Sequence, residues 1–205
     1  MSRVVVVSRT RMNKGRVCVG GHDLDRDFRS LRLLTKGGMN LKEDDGIAVG
    51  QIWDLDYDDH AETDPPHIED VLVKDGEHTE DLSASQLRAL ILENETPWKG
   101  APDALFDGTV AATANGRVYL PDDGPLPNCS TGYWIPGDDL IKRMSFDRAK
   151  FVYAGGGALN EFTWAGMEEP PPRIASGRLT RVSLARWYSP SSAPSGYYTQ
   201  ISGVY

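Results

Sequence analysis

The residues with the clearest potential for chemistry are cations in the first part of the chain. Residues 1–36 contain nine Lys or Arg and three Asp, a balance of +6, so the other 169 residues carry −14 within the total of −8. Lys and Arg side chains supply most of the affinity of proteins for phosphate backbones. The sequence therefore predicts a nucleic-acid or ligand-binding site in this segment. Its candidate residues are Arg9, Arg11, Lys14, Arg16, Arg29 and Arg32.

The alternative interpretation is that these cations are ordinary surface charges that pair with the acidic remainder of the chain. Arg16 and Arg32 distinguish the two interpretations best, because each interrupts a hydrophobic strand. A charge at such a position needs either solvent on its face of the strand or a partner of opposite charge. Both interpretations stay open at the level of the sequence.

The acidic residues are concentrated as well. Residues 41–82 contain fifteen Asp or Glu and two Lys. This segment is interpreted first as the solvated face of a barrel. It could also shield the protein from wrong partners or form a docking surface for a basic protein.

No spacing typical of an enzyme or a metal site is present. Residues 54–60 contain four Asp and one His, a composition that hard cations favour. Three of these Asp alternate with Trp53, Leu55 and Tyr57, however, which is the pattern of a strand with one wet face. The histidines lack metalloprotease spacing, and no Gly-Lys-Ser/Thr follows the glycines at 155–157. We therefore predict no catalytic residue, no metal and no cofactor, with an enzyme assembled only in the fold as the alternative.

Two pairs of adjacent aromatic residues lie near the end of the sequence, Trp187-Tyr188 and Tyr197-Tyr198. Large aromatic side chains more often fill cores than contact ligands. Neighbouring residues of a strand point to opposite faces, so one member of each pair should be the more exposed. The exposed members are candidate base-stacking residues.

Short hydrophobic segments separated by Gly and Pro predict a mainly β protein. Residues 4–7, four valines, read as a buried first strand and are too short for a signal or a membrane span. Residues 83–94 predict a helix with Ser83 or Ser85 as its N-cap. A second, shorter helix is predicted through Met144, because Leu140 and Met144 are four residues apart.

Several segments resemble the prokaryotic dual OB-containing domain family, which is associated with conflict systems against phage. They are the initial hydrophobic strand with Ser8-Arg9, and segments 15–21, 66–71, 93–94, 181–186 and 200–205. The resemblance implies two OB-like five-stranded barrels with one or two short helices, in agreement with the number of predicted strands. We place the first barrel at 1–97 and the second at 98–205.

The sequence thus predicts a non-enzymatic, cytoplasmic OB-type protein that binds nucleic acid, single-stranded in particular, or a nucleotide-like ligand. The family resemblance implies a context of prokaryotic anti-phage defence. The alternative is a protein-interaction module that uses its acidic surface on a basic partner or assembles as a homo-oligomer. Membrane association is not expected.

Overall fold

The structure, a computed structural model, describes residues 1–146, 148–158 and 160–205. The chain divides into two compact units, residues 1–95 together with Tyr205, and residues 96–204. Both units are mainly β, as predicted. Within the described ranges, no helix combines the length and the apolarity that crossing a membrane requires.

The first unit is a barrel followed by a helix. Its elements are β1 (Ser2–Arg11), β2 (Arg16–Asp23), β3 (Arg29–Thr35), β4 (Leu41–Lys42), β5 (Gln51–Asp59), β6 (Asp70–Asp81) and α1 (Ala84–Asn94). Five strands close on themselves in the order β1-β2-β3-β6-β5-β1, and β4 pairs with the start of β2. β3 and β6 run parallel, while the other neighbours in the closed order run antiparallel. This closed five-stranded barrel is consistent with the predicted OB-like fold.

Strand β1 of the first barrel carries four consecutive valines. All four, residues 4–7, are buried, so the strand is covered on both faces. Strands covered on both faces read as continuous apolar runs rather than alternating ones. β2 approaches β1 closely at Gly21, where a Cβ atom would lie 2.9 Å from the carbonyl oxygen of Val5.

Helix α1 begins as predicted. The Ser83 side chain accepts a hydrogen bond from the Gln86 backbone N–H, and the Gln86 side chain accepts one from the Ser83 backbone N–H. This reciprocal arrangement satisfies two donors at the helix start. Leu87 and Ile91 are the buried residues of the helix.

The second unit is built from shorter strands. Its elements are β7 (Trp98–Gly100), a 3₁₀ segment (Pro102–Gly108), β8 (Ala111–Ala112), β9 (Val118–Pro121), β10 (Thr131–Pro136), β11 (Leu140–Ser145), β12 (Arg148–Tyr153), β13 (Glu161–Trp164), β14 (Arg173–Ile174), β15 (Thr180–Leu184) and β16 (Gly196–Val204). The neighbours run in the order β14-β11-β12-β13-β16-β15-β10-β7, and the pair β8–β9 joins at β16.

The same five-strand order underlies this unit when β10 and β11 are counted as one bent strand. Only residues 137–139 separate them, and β10 pairs with β15 whereas β11 pairs with β12. The order is then β10/β11-β12-β13-β16-β15 and back to β10/β11, with β13 and β16 parallel. The parallel pair β13–β16 corresponds to β3–β6 of the first barrel. The second unit thus repeats the connectivity of the first.

The predicted helix through Met144 is wrong, because residues 140–145 form the strand β11. Leu140 and Met144 are four residues apart, but in a strand residues i and i+4 also share a face. The ladders to β12 on one side and β14 on the other decide between the two structures. The backbone hydrogen bonds to these two strands outweigh the weak helix propensity of residues 140–145.

Candidate ligand-binding surfaces

Four of the six predicted cations lie at one end of the first barrel. Arg11 ends β1, Lys14 lies in the β1–β2 loop, and both are exposed. Arg16 starts β2 directly opposite Lys42 of β4, so their side chains share a face. Arg9 is opposite Val19 and points to the other face of the sheet. These four cations therefore share a loop region but not a single surface.

Arg9 and Arg16 are tied to the segment that follows β3. The Arg9 guanidinium donates to the Glu43 carbonyl oxygen at 2.7 Å, and that of Arg16 donates to the Asn40 carbonyl oxygen at 2.5 Å. The Nε atom of Arg9 is buried and has no hydrogen-bond partner within the described part of the chain. Both side chains thus help to fix the loop.

Arg29 and Arg32 are held by acidic residues of the first barrel. Arg29 lies 2.7 Å from the Asp59 carboxylate in a pair that is largely exposed. Arg32 donates from Nε and from a terminal nitrogen to the two oxygens of Asp70, and this pair is mostly buried. A two-pronged pair of this kind satisfies the planar guanidinium fork in one geometry. Arg32 therefore has the partner that its place in a hydrophobic strand requires.

An acidic ribbon, which we define as the carboxylates of Asp54, Asp56, Asp58, Asp75 and Glu77, runs along β5 and β6 of the same barrel. Asp54 lies directly opposite Glu77, and Asp56 lies opposite Asp75. Like charges in opposite positions destabilise a sheet. Lys74 partly relieves this repulsion, at 2.7 Å from Asp58, and the hydrogen bond to Asp58 raises the pKa of Lys74. The predicted alternation is confirmed, since Leu55 and Tyr57 are buried on the other face.

A buried polar cluster lies within the first barrel. The Tyr57 hydroxyl donates to the carboxylate of Asp23, whose side chain is inaccessible to solvent. Burial, and then the hydrogen bond to Asp23, raise the pKa of Tyr57 to about 12. The Arg26 guanidinium lies 5.3 Å from the centre of the Tyr57 ring and 3.7 Å from Asp23. This cluster compensates a buried carboxylate and serves the stability of the barrel.

The second barrel carries a basic hairpin, which we define as β11, β12 and Phe146 at the end of β11. Arg143 is opposite Lys150 and Ser145 is opposite Arg148, so the three cations lie on one face. The neighbouring residues of β12, such as Phe151, point to the core. Lys150 pairs with Glu161 at 2.6 Å, whereas the residues Arg143 and Arg148 are exposed.

The end of this hairpin exposes apolar side chains next to those cations. Phe146 follows β11 and is 100% exposed, and Met144 is 64% exposed. Met144 points to the same side as the buried Phe151. Its exposure shows that the core no longer covers the hairpin at this level. A hairpin that carries both exposed cations and an exposed aromatic ring has a composition that nucleic-acid-binding surfaces use.

The connection between β15 and β16 exposes two further aromatic residues. Trp187 is 53% exposed and Tyr188 is 55% exposed. The prediction that one member of each pair is the more exposed is confirmed for Tyr197-Tyr198, since Tyr198 is buried and Tyr197 is partly exposed. It is wrong for Trp187-Tyr188, because these residues lie outside a regular strand and strand alternation does not apply to them.

An aromatic stack supports this connection from within. The rings of Tyr198 and Tyr119 stack with their centres 5.5 Å apart, and the Tyr188 ring meets Tyr198 edge-on at 6.3 Å. The Arg117 guanidinium lies 4.2 Å from the Tyr198 ring centre, in a cation–π contact. The exposed Tyr188 is thus in contact with a ring that belongs to the barrel.

No group of three or more His, Cys, Asp or Glu side chains is arranged to hold a metal ion in residues 1–146, 148–158 and 160–205. The candidate surfaces are therefore described by charge and aromatic rings alone.

Two barrels with the same strand order, in which β3–β6 and β13–β16 are corresponding parallel pairs, agree with a match to a known family. The profile of the dual OB-containing domain family matches residues 2–204. The chain belongs to the dual OB-containing domain family. No curated protein matches its sequence. One solved structure, described as "Structural mimicry for functional antagonism", covers 98% of this chain and 91% of its own at 9% identity, with a TM-score of 0.35. A similarity at that level carries no argument about fold or function.

Membership of the dual OB-containing domain family directs attention to particular loops. In OB barrels, the face of strands 2 and 3 and the loops joining strands 1–2 and 4–5 bind oligonucleotides. In the second barrel, the loop joining strands 1 and 2 lies in the basic hairpin, and the loop joining strands 4 and 5 is the β15–β16 connection. Sequence reasoning missed the hairpin because it assigned residues 140–144 to a helix. The signal was present in the alternation of the polar residues Arg143 and Ser145 with Met144, and of the cations Arg148 and Lys150 with Ala149.

Proposed function

We propose that this dual OB-containing protein binds single-stranded nucleic acid, and that the basic hairpin of the second barrel makes the main phosphate contacts. The observation that carries the proposal is the exposed pair Arg143 and Arg148 on one face of a hairpin on which Phe146 is fully exposed. OB barrels bind single strands by combining a positive surface along the backbone with aromatic rings on which bases stack.

The second barrel is the better candidate on electrostatic grounds. Residues 1–95 carry 12 Lys or Arg and 20 Asp or Glu, whereas residues 96–204 carry ten of each. The net charge of −8 therefore belongs to the first unit. Its acidic ribbon repels phosphate, and its cations at Arg29 and Arg32 are paired with Asp59 and Asp70.

Arg11 and Lys14 of the first barrel remain part of the proposal as a weaker contact. They lie in the loop that corresponds to the end of the basic hairpin, between strands 1 and 2 of their barrel. Arg9 and Arg16 support the position of that loop through Glu43 and Asn40.

The test is a titration of labelled single-stranded DNA and RNA at several salt concentrations. We expect binding that weakens with salt, and we expect Arg143→Gln together with Arg148→Gln to reduce the salt slope by about 1.4 if each contacts one phosphate. The matched control is Arg11→Gln with Lys14→Gln, which removes the same charge from the first barrel. The absence of binding to the unaltered protein at low salt would refute the proposal. A control pair that weakens binding more than the hairpin pair would move the site to the first barrel.

The second candidate function is interaction with a basic protein, and the acidic ribbon favours it. Opposed carboxylates such as Asp54 with Glu77 are costly to the sheet unless a partner neutralises them. Co-purification from the native host and light scattering separate a basic partner and a homo-oligomer from nucleic-acid binding.

The proposed mode of action is binding without catalysis, with no cofactor, in the cytoplasm of a prokaryotic cell. The resemblance to proteins of conflict systems makes defence against phage the first context in which to test it. Loss of protection from phage in cells that carry the Arg143 and Arg148 substitutions would support that context.

A further inference from the structure

We propose that Trp187 and Tyr188 form a nucleobase-stacking platform on the second barrel. This inference rests on the proposed function. It adds that a second surface of the same barrel holds the bases of the single strand, whereas the basic hairpin contacts the phosphates. Both residues expose more than half of their surface. Exposed aromatic residues next to each other on a folded protein frequently mark a ligand site.

The indole ring of Trp187 is fixed at its polar edge. Its Nε1–H donates to the Asp122 carboxylate at 2.5 Å. A hydrogen bond to a charged acceptor is stronger than one between neutral groups. Because the single N–H of the indole is already satisfied, what the ring offers a ligand is its apolar face.

The backbone around Tyr188 is fixed as well. Its N–H and carbonyl exchange hydrogen bonds of 3.0 and 3.1 Å with Gly196, which closes the loop between them. The Tyr198 hydroxyl donates to the Pro194 carbonyl oxygen at 2.6 Å inside that loop. Gly196 has a φ of +147°, and a Cβ atom there would lie 2.4 Å from the Leu120 carbonyl oxygen. The Trp187 ring and the Tyr188 backbone are thus held in place before a ligand arrives, which lowers the entropic cost of binding.

The surrounding charges favour a base over a phosphate at this position. The carboxylate of Asp122 is bound to the Trp187 edge, and Asp123 next to it is exposed. These carboxylates repel a phosphate, but they do not oppose the neutral plane of a base stacked on an aromatic ring. We assign the phosphate contacts instead to the basic hairpin, which carries Arg143 and Arg148.

The experiment compares two labelled strands of equal length, about 12 nucleotides, which is within the site sizes of OB folds. One is oligothymidylate and the other is an abasic strand with the same number of phosphates. We expect the protein to prefer the strand with bases by about 5- to 140-fold, the factor that corresponds to stacking of one base. Trp187→Ala with Tyr188→Ala should remove most of this preference and leave the affinity for the abasic strand unchanged.

Two controls make the outcome specific. Trp187→Phe retains an aromatic face and should keep most of the preference for the strand with bases. Arg143→Gln together with Arg148→Gln should lower the affinity for both strands by the same factor. An equal loss for both strands on removing Trp187 and Tyr188, or a preference that survives their removal, would overturn the platform while the proposed function stands. The latter result is expected if the two rings bind a peptide instead. If neither strand binds the unaltered protein at low salt, both proposals fail.

Discussion

The two barrels share one connectivity and differ in what they place on it. The first has valines in its central strand, an acidic ribbon on β5 and β6, and cations that are largely engaged by its own chain. The second has an aromatic core around Trp134, no net charge, and exposed rings in the two connections where OB barrels bind ligands. Strand order therefore specifies where a ligand could bind, and the side chains decide which of two equivalent places is suited to it.

The largest effect is expected in the core of the second barrel. Trp134 is fully buried, and its Nε1–H donates to the Gly100 carbonyl oxygen at 3.1 Å. Trp134→Ala should lower the free energy of unfolding of that barrel by about 3–5 kcal/mol. Amide hydrogen exchange of β12 and β13 measures this effect separately from the first barrel. Trp187→Ala is the control and should lower stability by at most about 1 kcal/mol, because Trp187 is half exposed and loses only its hydrogen bond to Asp122.

A comparable effect is expected in the first barrel on removal of its buried cation. Arg32→Ala removes the guanidinium that pairs with the buried Asp70 carboxylate, which should cost about 3 kcal/mol. Arg29→Ala breaks the exposed pair with Asp59 and should cost at most about 1 kcal/mol. Urea unfolding of the two variants gives the difference. Equal costs would show that Arg32 is not a structural cation, and a loss of strand binding by Arg32→Ala with no loss of stability would restore it as a ligand residue.

The smallest of the three effects concerns Tyr57. Tyr57→Phe removes the hydrogen bond to the buried Asp23 and should destabilise the first barrel by about 1–3 kcal/mol near neutral pH. The pKa of Tyr57 is raised in the folded state from 10 to about 12, so the folded protein holds this proton more tightly. The stabilisation is therefore complete below pH 10 and disappears as the pH rises towards 12. Unfolding followed between pH 9 and 12 should show this dependence in the parent and not in Tyr57→Phe.

Much of the fold was accessible from the sequence. The run of valines at 4–7, the alternation of Leu55 and Tyr57 with aspartates, and the cap at Ser83 were each interpreted correctly, because each depends on neighbours a few residues away. The strand at 140–145 was missed because the spacing of Leu140 and Met144 fits both a helix and a strand. Only the distant partners of β11 distinguish the two.

The candidate site was less accessible for the same reason. Arg32 meets Asp70 because β3 and β6 pair in parallel, and that register joins residues 38 positions apart. A charge count along the sequence cannot show that the cation is already paired. Similarly, the adjacent residues Trp187 and Tyr188 are both exposed because β15 ends at Leu184 and they lie in the connection that follows it, to which alternation rules do not apply.

The closure of each barrel also bears on how fast the chain folds. Neighbouring strands such as β1 with β2 or β11 with β12 form hairpins from local contacts. The ring closes only when β1 pairs with β5 and β10 pairs with β15, and these partners are 46 to 53 residues apart. Loop-closure entropy must be overcome before such contacts stabilise anything, so a barrel of this connectivity folds more slowly than a helical protein of similar size. In both units, hairpins that form early would have unpaired edges until the distant strand binds. Until then these edges can pair with other chains.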